Sequence, residues 1–382
     1  MAKQIIMEPS RTLSEFRLLP GLTNEESAPE KISLKSRITS KARLGKEFWI
    51  ETPLVAAAMQ AVSGPRLCTE LARLGGLGFV FCSQSASDQA TMVKEIALST
   101  SAFSKNSNVA RVAAAINTHD YLERAPALIE AGAEVLCIDS SDGFSIYTER
   151  TIKFLNEKFP KVAVIAGNII TAEGFRYLAR AGADCIKVGM GGGSICITQE
   201  QKGTGRGLAT AVIEVAQARD AWARETGQYI PIIADGGITH AKEATMALAL
   251  GADVIMMGRY FARMEESPSE KITIHNRLMK PYWGEGSARA AEWKQNRYHQ
   301  NKFNEGVEGF VEYAGTLADN LSQTTAKIKA SMSSCSSATI LEFHQNAIVE
   351  AVSGLSIREG QVHDIYQPGM ETARYEKSAW GE

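Results

Sequence analysis

The chain has 382 residues, 45% hydrophobic and 22% charged, with a formal net charge of -2, a composition suited to a globular protein of one large domain or two smaller ones. So even a balance gives no reason to expect nucleic acid or an anionic membrane surface as partner, and any recognition of an anion has to be local. Six cysteines without C-x-x-C spacing read as reduced thiols rather than a zinc site or disulfide framework, and no run reaches the roughly 18 apolar residues that span a bilayer, so a cytoplasmic address is expected.

Residues 1–50 read as an N-terminal surface arm, with loop chemistry at Pro20-Gly21 and a charged segment, KISLKSRITSKARLGKEF, with room for a short strand. From Pro53 onward short apolar runs alternate with longer segments of helical period, the pattern of a parallel sheet with crossover helices. The runs are PLVAAAM (53–59), GLGFVF (76–81), RVAAAI (111–116), EVLCID (134–139), KVAVIAG (161–167), CIKVGMG (185–191), YIPIIAD (229–235) and DVIMMG (253–258). Between them lie RLCTELARL, YLERAPALIEA, TERTIKFLNEKF, EGFRYLARA, ATAVIEVAQARDAWARE and KEATMALALG, with apolar residues three and four apart. Eight such units predict an α/β fold, a (β/α)8 TIM barrel.

Residues 99–108, STSAFSKNSN, interrupt the rhythm and read as a solvated linker. After the eighth run the chain continues to residue 382, through KPYWGEGS and the polar stretch EWKQNRYHQNKFNEG, which is either disordered or a moving lid. The expected organisation is therefore an arm (1–50), a first part of the barrel (51–98), a linker (99–108) and the rest of the barrel (109–382), with a flap at about 280–310 and a C-terminal tail.

Glycine and aspartate follow the apolar runs rather than precede them, at Asp139-Ser140, Gly167-Asn168, Gly189 to Cys196, Asp235-Gly236-Gly237 and Gly258-Arg259. In a barrel all five fall on the rim where active sites are built, although any one of them could simply end a strand. The loop GMGGGSICIT leaves room for a ligand against bare backbone and delivers Cys196, a nucleophile in one reading and buried filler in the other. Gly236, Gly237 and Gly258 offer backbone donors, Arg259 a planar cation for phosphate and Asp235 an acceptor for sugar hydroxyls. A mononucleotide is the natural ligand, and flavin-dependent hydroxyacid oxidases carry similar DGG and GR motifs.

GMGGGSICIT, ADGGI, MMGRYF, YWGEGS and NRYHQ, in this order, resemble the IMP dehydrogenase family, over essentially the whole chain from PGLT near residue 20 to IREGQVHDI. The resemblance implies oxidation of IMP to XMP with NAD+, the committed step of guanine nucleotide biosynthesis, through a covalent thioimidate on Cys196. It implies that Arg297 and Tyr298 arrive on a flap to hydrolyse this intermediate, with Thr198 and Glu305 as a second route to the same water. Ser194, Gly237, Gly258, Arg259 and Tyr282 would hold the phosphate, Asp235 the ribose, and Met59, Glu285, Gly286 and Glu305 the base. Asp139, Ser140, Asn168 and Lys187 would face the dinucleotide. K+ would sit on carbonyls of Gly191, Gly193 and Cys196, with Glu359, Gly360 and Gln361 from a neighbouring subunit of a homotetramer.

The sequence departs from the family's usual pattern in four places. AAAMQ stands where SSPMD is usual, so Ala57, Ala58 and Gln60 replace residues near the substrate; Arg259 and Glu285 replace a serine and a methionine, as in a divergent subgroup; and STSAFSKNSN stands where a pair of CBS modules is usually inserted. GMP reductase, which uses NADPH, shares the cysteine and phosphate loops but lacks the Arg-Tyr flap. An FMN-dependent barrel oxidoreductase is the more remote alternative.

Overall fold

The computed structural model of the chain describes residues 2–39, 47–103, 109–291 and 302–363. Each of the eight apolar runs supplies one strand: β1 (Leu54–Ala56), β2 (Leu77–Val80), β3 (Ala113–Ile116), β4 (Val135–Asp139), β5 (Ala163–Ile169), β6 (Cys185–Val188), β7 (Ile232–Asp235) and β8 (Val254–Met257). They pair in parallel in chain order, and β8 returns to β1, so the sheet closes into a barrel with no free edge.

The barrel strands are apolar on both faces because both are buried. Successive side chains alternate between two separate clusters. Val55, Phe79, Ala113, Cys137, Ile165, Cys185, Ile233 and Met256 fill the interior. Leu54, Val80, Leu136, Val164, Ile186 and Ile255 face the surrounding helices. These are α1 (Pro65–Arg73), α2 (Ala86–Ser101), α3 (Tyr121–Glu130), α4 (Ile146–Lys158), α5 (Ala172–Ala181), α6 (Leu208–Thr226), α7 (Ala241–Ala249) and α8 (Leu317–Ser334). Several begin at a hydroxyl that accepts from a free backbone N–H of the first turn: Ser85 at α2, Ser145 at α4, Thr171 at α5 and Thr316 at α8.

Two regions ahead of β3 differ from the sequence reading. The arm is more than a surface feature. Its Ile38, Phe48 and Ile50 join the interior cluster, and Trp49 O accepts from Ala110 N just ahead of β3, so the arm plugs the barrel at the N-terminal ends of the strands. Its charged segment does hold a short strand, Ser36–Arg37, paired with Trp49–Ile50. Helix α2 runs through Ser101, taking in the start of the stretch read as a linker, because Thr100 is buried and donates to Ile96 O; residues 104–108 lie outside the described residues.

The polar excursion after β8 is neither wholly loop nor wholly lid. Ile272–Ile274, Arg277–Trp283 and Glu308–Glu312 form an antiparallel three-stranded sheet. Its first hairpin turns through His275 and Asn276, both at positive φ, as a two-residue turn of this twist requires. The two ends of the predicted flap, 280–291 and 302–310, are thus largely built into or beside this sheet, and residues 292–301 lie outside the described residues.

Candidate active site

The strand period that fills the barrel also builds the floor of a cleft at the C-terminal ends of the strands. Moving two residues along a strand keeps a side chain on the inner face, so Cys137 is followed by Asp139, Cys185 by Lys187 and Ile233 by Asp235. Lys187, 3% exposed, donates to Asp139 Oδ1 at 2.9 Å and to Asp235 Oδ2 at 2.7 Å. Burial alone would discharge this ammonium, but the two carboxylates outweigh it and push its pKa upward, so it stays charged. Gly167 is the position on β5 that makes room, since a Cβ there would lie 2.7 Å from Lys187 Cβ. Asn168 donates to Asp235 Oδ2 at 3.0 Å and to Gly189 O at 2.8 Å, leaving its buried Oδ1 without a hydrogen-bond partner. That atom and the Asp139–Lys187–Asp235 row form a polar floor suited to ribose hydroxyls and an amide N–H.

Above the floor, the glycine loop brings in the cysteine. Cys196 is half-buried while the other five cysteines are buried. Burial pushes the thiols of Cys68 and Cys137 up to about 12, which makes them poor nucleophiles. Cys196 Sγ lies 3.2 Å from Thr198 Oγ1, and Thr198 donates to Glu305 Oε2 at 3.0 Å. The loop and the segment after the flap are stitched together by backbone: Ile197 N donates to Glu305 O and Val307 N to Ile195 O, each at 3.0 Å. A thiol, a hydroxyl and a carboxylate 107 residues further on are therefore held in one file.

The opposite wall comes from the ends of β7 and β8. Gly236, Gly237 and the half-buried Arg259 line the cleft with Ser194 and the buried Tyr282. Gly258 is required by close approach, because a Cβ there would meet Tyr282 Oη at 2.8 Å and Met59 Sδ at 3.0 Å. Burial pushes the Tyr282 phenol upward, so it remains a hydrogen-bond donor. The cleft is open to solvent at its mouth and measures about 1110 Å³ with that open space included.

Every candidate substrate, phosphate and dinucleotide residue lines this cleft: Met59, Asp139, Ser140, Asn168, Lys187, Ser194, Asp235, Gly237, Gly258, Arg259, Tyr282, Glu285, Gly286 and Glu305, together with Cys196 and Thr198. Gly191 and Gly193 line it too. Glu359, Gly360 and Gln361 do not; they are exposed at the end of the helix Gly354–Glu359, with Gly360 beside Arg17. Arg297 and Tyr298 lie outside the described residues.

One network was not legible in the sequence. Glu285 is 6% exposed; its Oε1 accepts from Gln60 N at 2.8 Å and its Oε2 from the Ser83 hydroxyl. Gln60 donates to Ser83 O at 3.1 Å and accepts from Trp283 Nε1 at 2.8 Å. Two of the departures from the usual pattern are thus neighbours: Glu285 accepts from the backbone of residue 60, while the Gln60 side chain is satisfied by Ser83 and Trp283.

A family profile described as "IMP dehydrogenase / GMP reductase domain" matches residues 10–363. The inosine-5'-monophosphate dehydrogenase of Tritrichomonas foetus is 38% identical, with 94% of this chain and 96% of the relative covered. That alignment spans 488 positions, more than this chain contains, so the relative carries inserted residues within the matched span. The enzymes of the same name from Cryptosporidium parvum and Borreliella burgdorferi are 31% and 30% identical, covering 93% and 94% of this chain and 95% and 98% of their own.

Proposed function

Since the chain belongs to the IMP dehydrogenase / GMP reductase family, we propose that it oxidises IMP to XMP with NAD+ through a covalent intermediate on Cys196. The observation that carries this reading is the file Cys196–Thr198–Glu305, set between a phosphate-sized nest of glycines with Arg259 and a polar floor.

IMP enters with its phosphate against Ser194, Gly237, Gly258, Arg259 and Tyr282, and its ribose on Asp235. The base lies over Met59, toward Gly286 and the main chain of Glu285, whose carboxylate is already occupied by Gln60 and Ser83. The Cys196 thiolate adds to C2 of the purine, forming a C–S bond. Asp139, Ser140, Asn168 and Lys187 would hold NAD+, which would supply the acceptor for the hydride leaving C2; the unpartnered Asn168 Oδ1 fits an N–H or O–H donor there. Water then attacks C2, the C–S bond breaks with its electron pair returning to sulfur, and XMP leaves. Arg297 and Tyr298 keep the hydrolytic role that the resemblance gives them, with Thr198 and Glu305 as the second route for the water's proton.

A K+ ion on the carbonyls of Gly191, Gly193 and Cys196 fits the chemistry of the loop only in part. Gly191 O already accepts from Gln199 at 2.9 Å and Gly193 O from Cys196 N at 3.1 Å, and each carbonyl keeps one more lone pair. Glu359, Gly360 and Gln361 would complete the set from a neighbouring copy, which makes a homotetramer part of the proposal. No helix among the described residues is long and apolar enough to cross a membrane, and a cytoplasmic location completes the reading.

The test is direct. Mixed with IMP, NAD+ and K+, the protein should generate the absorbance of reduced nicotinamide. Oxidation of NADPH with ammonia released from GMP, and no reaction with IMP, would assign the reductase chemistry instead.

A further inference from the structure

Glu305 is nearly inaccessible, at 4% exposure, and one short stretch of chain holds it at three points. Ile197, Thr198 and Lys202 all belong to a single turn of chain: the helix Thr198–Lys202 and the residue before it. Ile197 N holds the main-chain oxygen of Glu305, Thr198 Oγ1 donates to Oε2 at 3.0 Å, and Lys202 Nζ stands 3.6 Å from Oε1. Thr198 and Lys202 are four residues apart, so one helical turn stacks their side chains on one face. The Lys202 side chain is 35% exposed and reaches inward from solvent, covering Glu305 with its stem.

We propose that Lys202 is a positioning residue for the Thr198–Glu305 pair. Its ammonium, 3.6 Å from Oε1, keeps the buried carboxylate turned, so that Oε2 is the oxygen that faces the Thr198 hydroxyl. In the hydrolytic step the water oxygen bonds to C2 of the purine and its proton passes to Thr198 Oγ1. The Thr198 proton passes to Glu305 Oε2, and the C–S bond breaks to return the thiolate of Cys196. A rotated Glu305 could not accept that proton from Thr198. This assignment rests on the proposed function and adds a residue to it.

The experiment compares Lys202→Met and Lys202→Arg in the unaltered chain and in Arg297→Ala, where the threonine–glutamate route works alone. In the Arg297→Ala background, Lys202→Met should lower steady-state turnover about tenfold, the loss of one charge-assisted contact. The initial burst of NADH and the KM values for IMP and NAD+ should stay as they were, and Lys202→Arg should restore turnover to within about threefold. A general structural role would move the burst and KM together and would not be rescued by arginine. Turnover of Lys202→Met equal to that of Arg297→Ala alone, or a failure of arginine to rescue, would overturn the inference while leaving NADH formation intact. An unaltered chain that makes no NADH from IMP would overturn the proposed function and this inference with it.

Discussion

Within the barrel, Cys137, Ile165, Cys185 and Ile233 form an apolar layer, and one pleat higher the same four strands carry Asp139, Gly167, Lys187 and Asp235. Backbone geometry is the same in both layers; only the side chains change. The lower layer is apolar, closed from beneath by Ile38, Phe48 and Ile50, and of its four residues only Cys137 lines the cleft. The upper layer buries a cation between two carboxylates, an arrangement that stabilises a fold poorly because desolvation offsets the attraction, but presents fixed charge and an unpartnered amide oxygen to the cleft. Stability and chemistry are therefore separated along the barrel axis by a rise of two residues.

The largest effect expected lies above both layers. Cys196→Ala should reduce NADH formation from IMP by at least on the order of 10⁴-fold, with the unfolding transition in urea unchanged, because the thiol is half-exposed and packs no core. Residual turnover near that of the unaltered chain would remove the covalent route.

Next comes a paired substitution across the two layers. Lys187→Met leaves Asp139 and Asp235 facing each other without their cation, and removing one partner from a buried charge cluster costs about 3–5 kcal/mol. Denaturant unfolding should show that loss, and the KM for NAD+ should rise. Ile165→Val, in the layer beneath, should cost only about 1 kcal/mol and leave kcat and both KM values alone. If Ile165→Val alters KM as much as Lys187→Met does, the division between the layers is wrong.

On the cleft wall, Arg259→Ser should weaken IMP binding by about tenfold or more, the value of a lost charge-assisted hydrogen bond, with little change in the KM for NAD+. Movement of the dinucleotide constant alone would take Arg259 out of the phosphate site.

How much of this could be read in advance follows from whether the determinants are local. The eight strands were legible because each is a short apolar run, five of them ended by glycine or aspartate, and the cleft because those five ends share a rim. The plug was not, since Ile38 and Phe48 are interleaved with lysines and arginines that hide any period. Nor was the sheet around Arg277–Trp283, whose partner strand Glu308–Glu312 is mostly exposed and lacks an apolar alternation. The bond from Gln60 to Glu285 joins residues 225 apart in the chain; each looked like an isolated departure until the fold placed them together. Lys202 carried a faint signal, four residues after Thr198 on a helix, but its partner is supplied by the far side of the flap.

The smallest effect is a dependence of stability on pH from a lysine outside the cleft. Lys280, 1% exposed, donates to Met264 O at 2.6 Å and to Ser267 O at 3.1 Å, and burial pushes its pKa down from 10.5 to about 8. A neutral amine still has hydrogens for both carbonyls, so deprotonation keeps the contacts and relieves the desolvation. Between about 8 and 10.5 the unfolded chain therefore binds more protons at this site than the folded one. Stability contributed by Lys280 rises with pH across that window, and below it the full penalty of burying the charge applies. Unfolding free energies measured in urea across this window should climb in the unaltered chain relative to Lys280→Met, which lacks the titrating group. Parallel curves for the two would show that the carbonyls hold the ammonium as firmly as water does.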